Sequence, residues 1–284
     1  KFLAACSKSE LVPENVADLS NFRSLLSTGS PLVSEQFDWV YENVHSDIQV
    51  ASISGGTDII GCFLAGSPIL PVHRGELQCA QLGMDVQSWD PDGKPVFGQS
   101  GELVCTQPFP SMPIGFWNDA DGSKYQEAYF DDFERVWTHG DYIEMTANGG
   151  AIIYGRSDTT LNPGGVRIGT AEIYRAVENM EQIVDAVVVG RPNEGDVDVV
   201  LCVKLTKGTD FDEKLESDIR GLIRSATTPR HVPKYIFEVD DIPYTISGKK
   251  VEKAVLATIT GRKVGNKDAL ANPESLKQYS ALSF

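Results

Sequence analysis

The stretch Gly155-Arg156-Ser157-Asp158-Thr159-Thr160-Leu161-Asn162-Pro163-Gly164-Gly165 separates two different patterns in this 284-residue sequence. It is polar and rich in glycine and proline, which is typical of a segment where domains hinge. Before it, short β-like runs such as residues 101–105 and 151–154 alternate with Gly, Pro and Asp clusters. After it, longer helical and strand patterns alternate. The sequence therefore predicts two domains that meet in this stretch.

The part after the stretch predicts a compact α+β domain. Its apolar spacing indicates helices over residues 170–180, 213–226 and 250–259, and strands over residues 183–190, 197–205 and 234–239. The tail after Gly261 has no strong periodicity, so we expect a poorly ordered or docked extension there.

The part before the stretch begins with an α/β pattern. Phe37, Val40, Tyr41 and Val44 have helical spacing and predict a helix from Ser34 to His45, with Ser34 as its N-cap. A short apolar run at residues 48–53 predicts a strand that ends in a Gly-rich turn at residues 54–58. Such a turn presents backbone amides to a ligand in α/β proteins.

Composition excludes several classes of protein. The 25 basic and 40 acidic side chains give a net charge of −15, which argues against nucleic acid or a membrane surface as partner. No apolar run approaches the roughly 20 residues of a membrane-spanning helix. Five scattered cysteines predict reduced thiols in the cytosol, and four isolated histidines argue against a zinc site. The absence of Gly-x-Ser-x-Gly weakens a hydrolase interpretation.

Four segments contain residues suited to chemistry, although each alone is more often a turn or a surface loop. Residues 54–58 combine glycines with a hydroxyl and a carboxylate, and residues 137–141 end in a carboxylate suited to two sugar hydroxyls. Arg156 and Arg167 carry forks that suit phosphate. Residues 243–250 place a lysine after Ser-Gly in a loop, where it can act as a mobile point charge.

Taken in this order and at these separations, the four segments resemble the later core motifs of the acyl-adenylate-forming (AMP-binding) superfamily. The resemblance covers residues 2–257 and only the second half of such an enzyme. It implies an α/β and α+β fold in which residues 1–157 are the C-terminal portion of a large AMP-binding domain. Residues 158–261 would be a small mobile domain, and residues 262–284 a C-terminal extension.

The resemblance also implies a nucleotide site. Its expected residues are Gly29, Ser30, Pro31, Ser54, Gly55, Gly56, Thr57, Asp141, Arg156 and Arg167. The first six would lie against adenine, Thr57 would bind phosphate and Asp141 the ribose hydroxyls. Asp58 takes the place of the family's Mg²⁺-binding glutamate. Since aspartate is one methylene shorter, direct ligation by Asp58 is less certain than in the family.

In the same way, Lys249 matches the catalytic lysine that stabilises developing charge while the carboxylate attacks ATP. Asp158 matches the hinge about which the small domain rotates between the two half-reactions. Gly164 and Gly165 match the glycines beside the pantetheine channel for CoA, where a side chain would block the thiol.

Residues 155–163, 230–233, 242–245 and 139–142 are similar to the acetoacetate-activating branch of the superfamily. Gly55 stands where acetate-activating enzymes carry a tryptophan, so we expect a larger acyl pocket. The expected reaction converts ATP, acetoacetate and CoA to AMP, diphosphate and acetoacetyl-CoA in the cytosol. The alternatives are a ligase for propionate or butyrate and a non-catalytic nucleotide-binding scaffold. The family's loop for the β- and γ-phosphates is absent, so these residues alone should be inactive; the oligomeric state stays open.

Overall fold

The computed structural model describes residues 2–166, 168–265 and 267–284, and it divides the chain into two compact units. The first unit ends at Ile153 and the second runs from Tyr154 to Phe284. The helices of the first unit are α1 (Phe2–Lys8), α2 (Ser34–Asn43) and α3 (Ser123–Tyr129). Its strands are β1 (Ser24–Ser27), β2 (Gln49–Ser52), β3 (Ser54–Gly56), β4 (Gly61–Ala65), β5 (Cys79–Ala80), β6 (Val86–Trp89), β7 (Pro95–Val96), β8 (Ser100–Cys105), β9 (Trp137–Met145) and β10 (Ala151–Arg156), of which the last continues into the second unit.

The first unit opens with a βαβ arrangement. Strands β1 and β2 pair in parallel, from Ser24 opposite Gln49 to Ser27 opposite Ser52, and α2 lies between them in sequence. The predicted apolar face of α2 is confirmed, because Phe37 and Val40 are buried in one core with Val50 of β2. The prediction of Ser34 as N-cap is wrong by one residue: Val33 is the cap and Ser34 the first helical residue.

Two antiparallel sheets make up the rest of the first unit. One has the order β3-β4-β5, and the other has the order β10-β9-β8-β6-β7. The predicted Gly-rich turn at residues 54–58 begins too early, because Ser54, Gly55 and Gly56 form β3 and pair with β4. The chain turns only at residues 57–60. The close approach of β4 leaves no room for a side chain at position 55, so this strand requires a glycine there.

The second unit is a three-stranded sheet with helices on both faces. It contains α4 (Thr170–Val177), β11 (Ile183–Asn193), β12 (Asp196–Leu205), α5 (Glu213–Ala226), β13 (Tyr235–Glu238), α6 (Glu252–Ile259) and α7 (Leu276–Tyr279), with the strand order β11-β12-β13. Ala186 and Val188 pack in the core with α4 and α5, whereas Val187 and Val189 pack in the core with α6 and α7. Burial on both faces explains the apolar run of residues 186–190 within β11.

Residues after Gly261 belong to the second unit. Tyr279 of α7 is completely buried against the sheet core, and Leu270 and Leu276 pack with Ala254 of α6. Short 3-10 helices at Lys267–Ala269 and Pro273–Ser275 connect these anchors. The extension is thus docked along its length from residue 267 onward.

Candidate active site

The two loops predicted to flank adenine both follow the carboxyl ends of the parallel strand pair. The loop of Gly29, Ser30 and Pro31 begins two residues after β1, and Ser54 likewise comes two residues after β2. The Ile53 amide donates to the Ser27 carbonyl at 2.8 Å, which keeps the two strand ends side by side. The carboxyl edge of a parallel sheet is where open α/β folds bind ligands.

Asp141 reaches this edge because β9 contains a bulge. Glu102 of β8 lies opposite Tyr142 and Val104 lies opposite Thr138, so three residues of β9, His139 to Asp141, face Leu103 alone. A bulge of this kind redirects side chains. The Ser54 hydroxyl donates to Asp141 Oδ2 at 3.3 Å. The structure therefore brings together two sequence-predicted residues that are 87 positions apart.

Gly56 lies against the imidazole of His139. A Cβ atom at Gly56 would come within 2.8 Å of His139 Cε1, so the ring covers this part of β3. The ring also packs on Phe63, with centroids 4.6 Å apart, and its Nε2 lies 3.9 Å from Asp141 Oδ2. The sequence indicated only that His139 is isolated from the other histidines, and the structure places it beside Asp141, the predicted ribose ligand.

Gly55 owes its identity to strand pairing. A Cβ atom there would overlap the carbonyl oxygen of Gly61 and lie 2.7 Å from the Cα of Cys62 in β4. From the sequence, we expected the missing side chain at Gly55 to leave space for a larger acyl pocket. In the structure the space beside Gly55 is filled by the backbone of β4, so this glycine gives no support to a four-carbon substrate.

Thr57 and Asp58 are exposed in the turn that follows β3. The Tyr129 hydroxyl donates to Asp58 Oδ2, and the Tyr129 ring stacks on Trp137 at 3.7 Å. Carboxylate and hydroxyl oxygens are ligands that Mg²⁺ prefers, and Mg²⁺ is usually held by one or two carboxylates together with substrate phosphates. The described residues contain no group of three or more His, Cys, Asp or Glu that could hold a metal ion. Thr57 and Asp58 thus fit a Mg²⁺ ion that arrives with a phosphate ligand.

In the second unit, Asp158 lies in a 3-10 helix at Ser157–Thr159. Lys253 of α6 approaches Asp158 Oδ2 at 2.5 Å, and Arg156 Nε lies 3.8 Å from Asp158 Oδ1. The hydroxyls of Thr159 and Thr160 donate to the Arg156 carbonyl at 3.2 and 3.0 Å. The predicted hinge residue is therefore held between a cation on each side.

The Gly164 loop is a tight 3-10 turn at Pro163–Gly165, in which Gly164 has φ +58°. Its amide donates to Asp196 Oδ1 at 2.7 Å, and this bond together with one from the Val197 amide lowers the pKa of Asp196. Arg230 Nη1 donates to the Gly164 carbonyl at 3.3 Å and would lie 2.9 Å from any Cβ there. Gly165 completes the turn. Arg167, the predicted phosphate arginine, lies outside the described residues.

Lys249 and Lys250 lie side by side and point to different environments. Lys249 is exposed at the end of a loop closed by hydrogen bonds from the Thr245 amide to the Lys249 carbonyl at 2.8 Å and from the Lys249 amide to Thr245 Oγ1 at 3.0 Å. Lys250 is largely covered, with its side chain 12% exposed and its Nζ 2.8 Å from Asp185 and 3.1 Å from Glu178. Burial opposes its charge, but the two carboxylates raise its pKa above the ordinary value.

A buried His231 ties the start of α4 to the rest of the second unit. Its Nε2 lies 3.2 Å from Glu172 Oε2, which also accepts from the Gly169 amide at 2.9 Å. Burial of Glu172 opposes ionisation, yet the hydrogen bonds from His231 and Gly169 outweigh it and lower the pKa of Glu172. His231 is thus a packed residue of the second unit, one of the two places, surface or interior, that its isolation in the sequence left open.

Three residues that contact these sites had no distinguishing signal in the sequence. They are Tyr129 beside Asp58, His139 beside Gly56, and Asn272, which accepts from the Tyr244 amide in the loop that carries Lys249. Each lies far along the chain from the residue that it contacts, so spacing alone could not identify it. The five cysteines are free, as expected. Among the described residues, no helix is both long and apolar enough to cross a bilayer.

The fold matches the architecture of the adenylate-forming enzymes. Residues 172–249 match the family described as the AMP-binding enzyme C-terminal domain. The second unit therefore contains the C-terminal domain of the AMP-binding enzymes. An anthranilate CoA ligase with bound anthranoyl-AMP shares the fold at a TM-score of 0.71, with 20% identity over 87% of this chain and 46% of the ligase.

More particularly, the chain is a homologue of the acetoacetyl-CoA synthetases. It is 54% identical to the enzyme of Rhizobium meliloti (strain 1021) over 99% of this chain and 47% identical to that of Gallus gallus over 98%. The solved acetoacetyl-CoA synthetase from Streptomyces lividans superposes with a TM-score of 0.91, at 42% identity over 98% of this chain and 43% of that structure. The chain spans 43% and 42% of the length of the two curated relatives.

Proposed function

We propose that this chain forms the C-terminal part of an acetoacetyl-CoA synthetase. In the first half-reaction a carboxylate oxygen of acetoacetate attacks the α-phosphorus of ATP and diphosphate leaves. In the second, the thiol of CoA attacks the acyl carbon of the adenylate, losing its proton, and AMP leaves. The observation that carries the proposal is the contact between Ser54 and Asp141 at the carboxyl edge of the parallel strands.

The first unit would bind the nucleotide. The loop of Gly29, Ser30 and Pro31 and the short strand β3 offer flat backbone surface to adenine. Asp141, redirected by its bulge, has two acceptor oxygens for the two ribose hydroxyls. Thr57 would donate to a phosphate oxygen, and Asp58 would ligate Mg²⁺ that neutralises the phosphates. When bound, Mg²⁺ polarises the phosphoryl oxygens.

The second unit would supply the groups that differ between the two steps. Lys249, exposed on its loop, would stabilise negative charge at the α-phosphate during adenylation. Arg156 would contact the nucleotide, and Asp158 would be the hinge for rotation of the second unit. Gly164 and Gly165 would then line the entry of the CoA thiol. Arg167 would interact with phosphate.

Acetoacetate is the proposed acid because the named relatives at 47% and 54% identity are acetoacetyl-CoA synthetases. Ligases for propionate or butyrate, and a non-catalytic scaffold, have no such support. The free cysteines are in keeping with a cytosolic enzyme.

The test is exchange of labelled diphosphate into ATP by the full-length protein with acetoacetate, butyrate, propionate and acetate. We expect acetoacetate to give the highest kcat/KM. A preference for butyrate or propionate would replace the proposed substrate, and no exchange with any acid would favour the scaffold.

A further inference from the structure

The C-terminal extension pairs with the loop that carries Lys249. The Ile246 amide donates to the Ala269 carbonyl at 3.0 Å, and the Ala271 amide donates to the Tyr244 carbonyl at 2.8 Å. These bonds place Leu270 opposite Thr245 in an antiparallel bridge. The backbone of the extension therefore lies alongside the first residues of the lysine loop, as an added edge segment would.

Asn272 fastens this pairing through its side chain. Its Oδ1 accepts from the Tyr244 amide at 2.9 Å, and its Nδ2 donates to the Ile242 carbonyl at 2.8 Å and to Asp241 Oδ2 at 2.5 Å. One amide group thus satisfies backbone groups on both sides of Pro243. Because a side-chain amide has both a donor and an acceptor end, neither a carboxylate nor an alkyl group could make all three bonds.

The extension itself is anchored to the sheet, so its contacts can restrict the motion of the loop. Tyr279 is completely buried, and its hydroxyl donates to the Asp241 carbonyl at 3.0 Å. Gln278 Nε2 donates to the same carbonyl at 2.7 Å. Lys204 of β12 binds Asp241 Oδ1 at 2.7 Å. A continuous set of contacts therefore runs from β12 through Asp241 and Asn272 to Tyr244.

The opposite end of the loop is fixed by Lys250, whose ammonium is held by Asp185 and Glu178. Between the two anchors only residues 245–249 are left to place the exposed ammonium of Lys249. A cation that must meet a developing charge gains most when its position is fixed beforehand, and misplacement by about 1 Å costs on the order of a hundredfold in rate.

We propose that the C-terminal extension, through Asn272 and the backbone of residues 269–271, is a positioning element for the catalytic-lysine loop in the adenylation half-reaction. This inference rests on the proposed function of Lys249. It assigns the extension a role in one half-reaction only, because the lysine is needed for adenylation and the thiol attack proceeds without it.

The experiment uses the full-length enzyme with Asn272→Ala, Asn272→Asp, Lys249→Ala and the control Asn179→Ala. Asn179 is an exposed asparagine in the same unit whose side chain donates only to the Arg175 carbonyl, at 3.4 Å, among the contacts described. Diphosphate exchange measures adenylation, and release of AMP from supplied acetoacetyl adenylate and CoA measures thioester formation.

We expect Asn272→Ala to lower kcat for adenylation about tenfold, with KM for ATP within twofold, and to leave thioester formation within twofold of wild type. Asn272→Asp keeps the oxygen that accepts from the Tyr244 amide, but it sets a second carboxylate oxygen against Asp241 Oδ2 and the Ile242 carbonyl, so it should lose at least as much. Hydrogen exchange of the Tyr244 and Ile246 amides should accelerate in Asn272→Ala and stay slow in Asn179→Ala.

Equal loss of both half-reactions in Asn272→Ala would mean a merely structural role and would overturn the inference, as would adenylation equal to that of Asn179→Ala. If Asn272→Ala does not fold, the wild-type enzyme still decides: unprotected Tyr244 and Ile246 amides would contradict the pairing. If Lys249→Ala keeps adenylation, the proposed function fails first. If Lys249→Ala loses adenylation while Asn272→Ala keeps it, only the positioning role fails.

Discussion

The same substitution at the adjacent lysines 249 and 250 should change the stability of the fold by very different amounts. Lys250 is only 12% exposed, and its ammonium lies 2.8 Å from Asp185, 3.1 Å from Glu178 and 4.1 Å from the Tyr174 ring centroid. Lys250→Met keeps the length of the side chain and removes the charge. Lys249→Met removes an equal charge from an exposed loop and is the matched control.

The size of the effect follows from the exposure of the partners. Removing one member of a buried ion pair costs about 3–5 kcal/mol, because the remaining charge is left buried. The Asp185 side chain is 18% exposed and falls in that class, whereas Glu178 is 42% exposed and is worth less than about 1 kcal/mol. Methionine retains part of the packing against Tyr174. We expect a net loss of about 3 kcal/mol for Lys250→Met.

Urea unfolding monitored by hydrogen exchange of amides in β11 isolates the second unit. Lys250→Met should lower the free energy of opening of these amides by about 3 kcal/mol, and Lys249→Met should change it by less than about 0.5 kcal/mol. A loss below about 1 kcal/mol for Lys250→Met would refute the reasoning, because Asp185 would then not depend on this cation.

Three further substitutions test the origin of local stability. Glu172→Gln should reduce the loss of stability that the protein shows as the pH falls below 4.5. Because the fold lowers the pKa of Glu172 from its ordinary value of 4.5, the ionised carboxylate stabilises the fold at pH values above 4.5. That stabilisation is lost as the pH falls through the pKa of the folded state. The drop in the urea midpoint between pH 7 and pH 3.5 measures this loss in each protein. A drop as large in Glu172→Gln as in the wild type would contradict the prediction. Gly55→Ala should cost about 1–3 kcal/mol because its Cβ overlaps the Gly61 carbonyl, whereas Gly221→Ala in α5, with open space around it, should stabilise by about 0.5–1 kcal/mol. Equal changes in the free energy of unfolding for Gly55→Ala and Gly221→Ala, measured in urea, would show that β4 can move away from the added Cβ at little cost.

Elements with local signals were predictable from the sequence. The stripe of Leu215, Ile219, Leu222 and Ile223 predicted α5 with both ends correct, although Leu222 is exposed. Asp212 supplies the cap by accepting from the Leu215 amide at 2.8 Å. The apolar run of β11 predicted a buried strand, although the strand extends three residues beyond Gly190 to Asn193. In these segments local periodicity and tertiary burial agree.

Other features depend on partners that are distant in sequence. Residues 54–56 carry turn-forming glycines, yet β4 provides a pairing edge that makes them a strand. The bulge that brings Asp141 to Ser54 exists only in relation to β8. The extension shows little periodicity in the sequence. Its segment at residues 269–272 is held by individual hydrogen bonds to the lysine loop, and such bonds leave no repeating apolar pattern.

Substitution of Lys249 by alanine in the full-length enzyme shows whether this lysine acts in adenylation alone. Both half-reactions are measured on the same preparation, diphosphate exchange for adenylation and AMP release from supplied acetoacetyl adenylate for thioester formation. We expect adenylation to fall at least about a hundredfold while thioester formation stays within twofold of wild type. Equal losses in the two half-reactions, or unchanged adenylation, would contradict it.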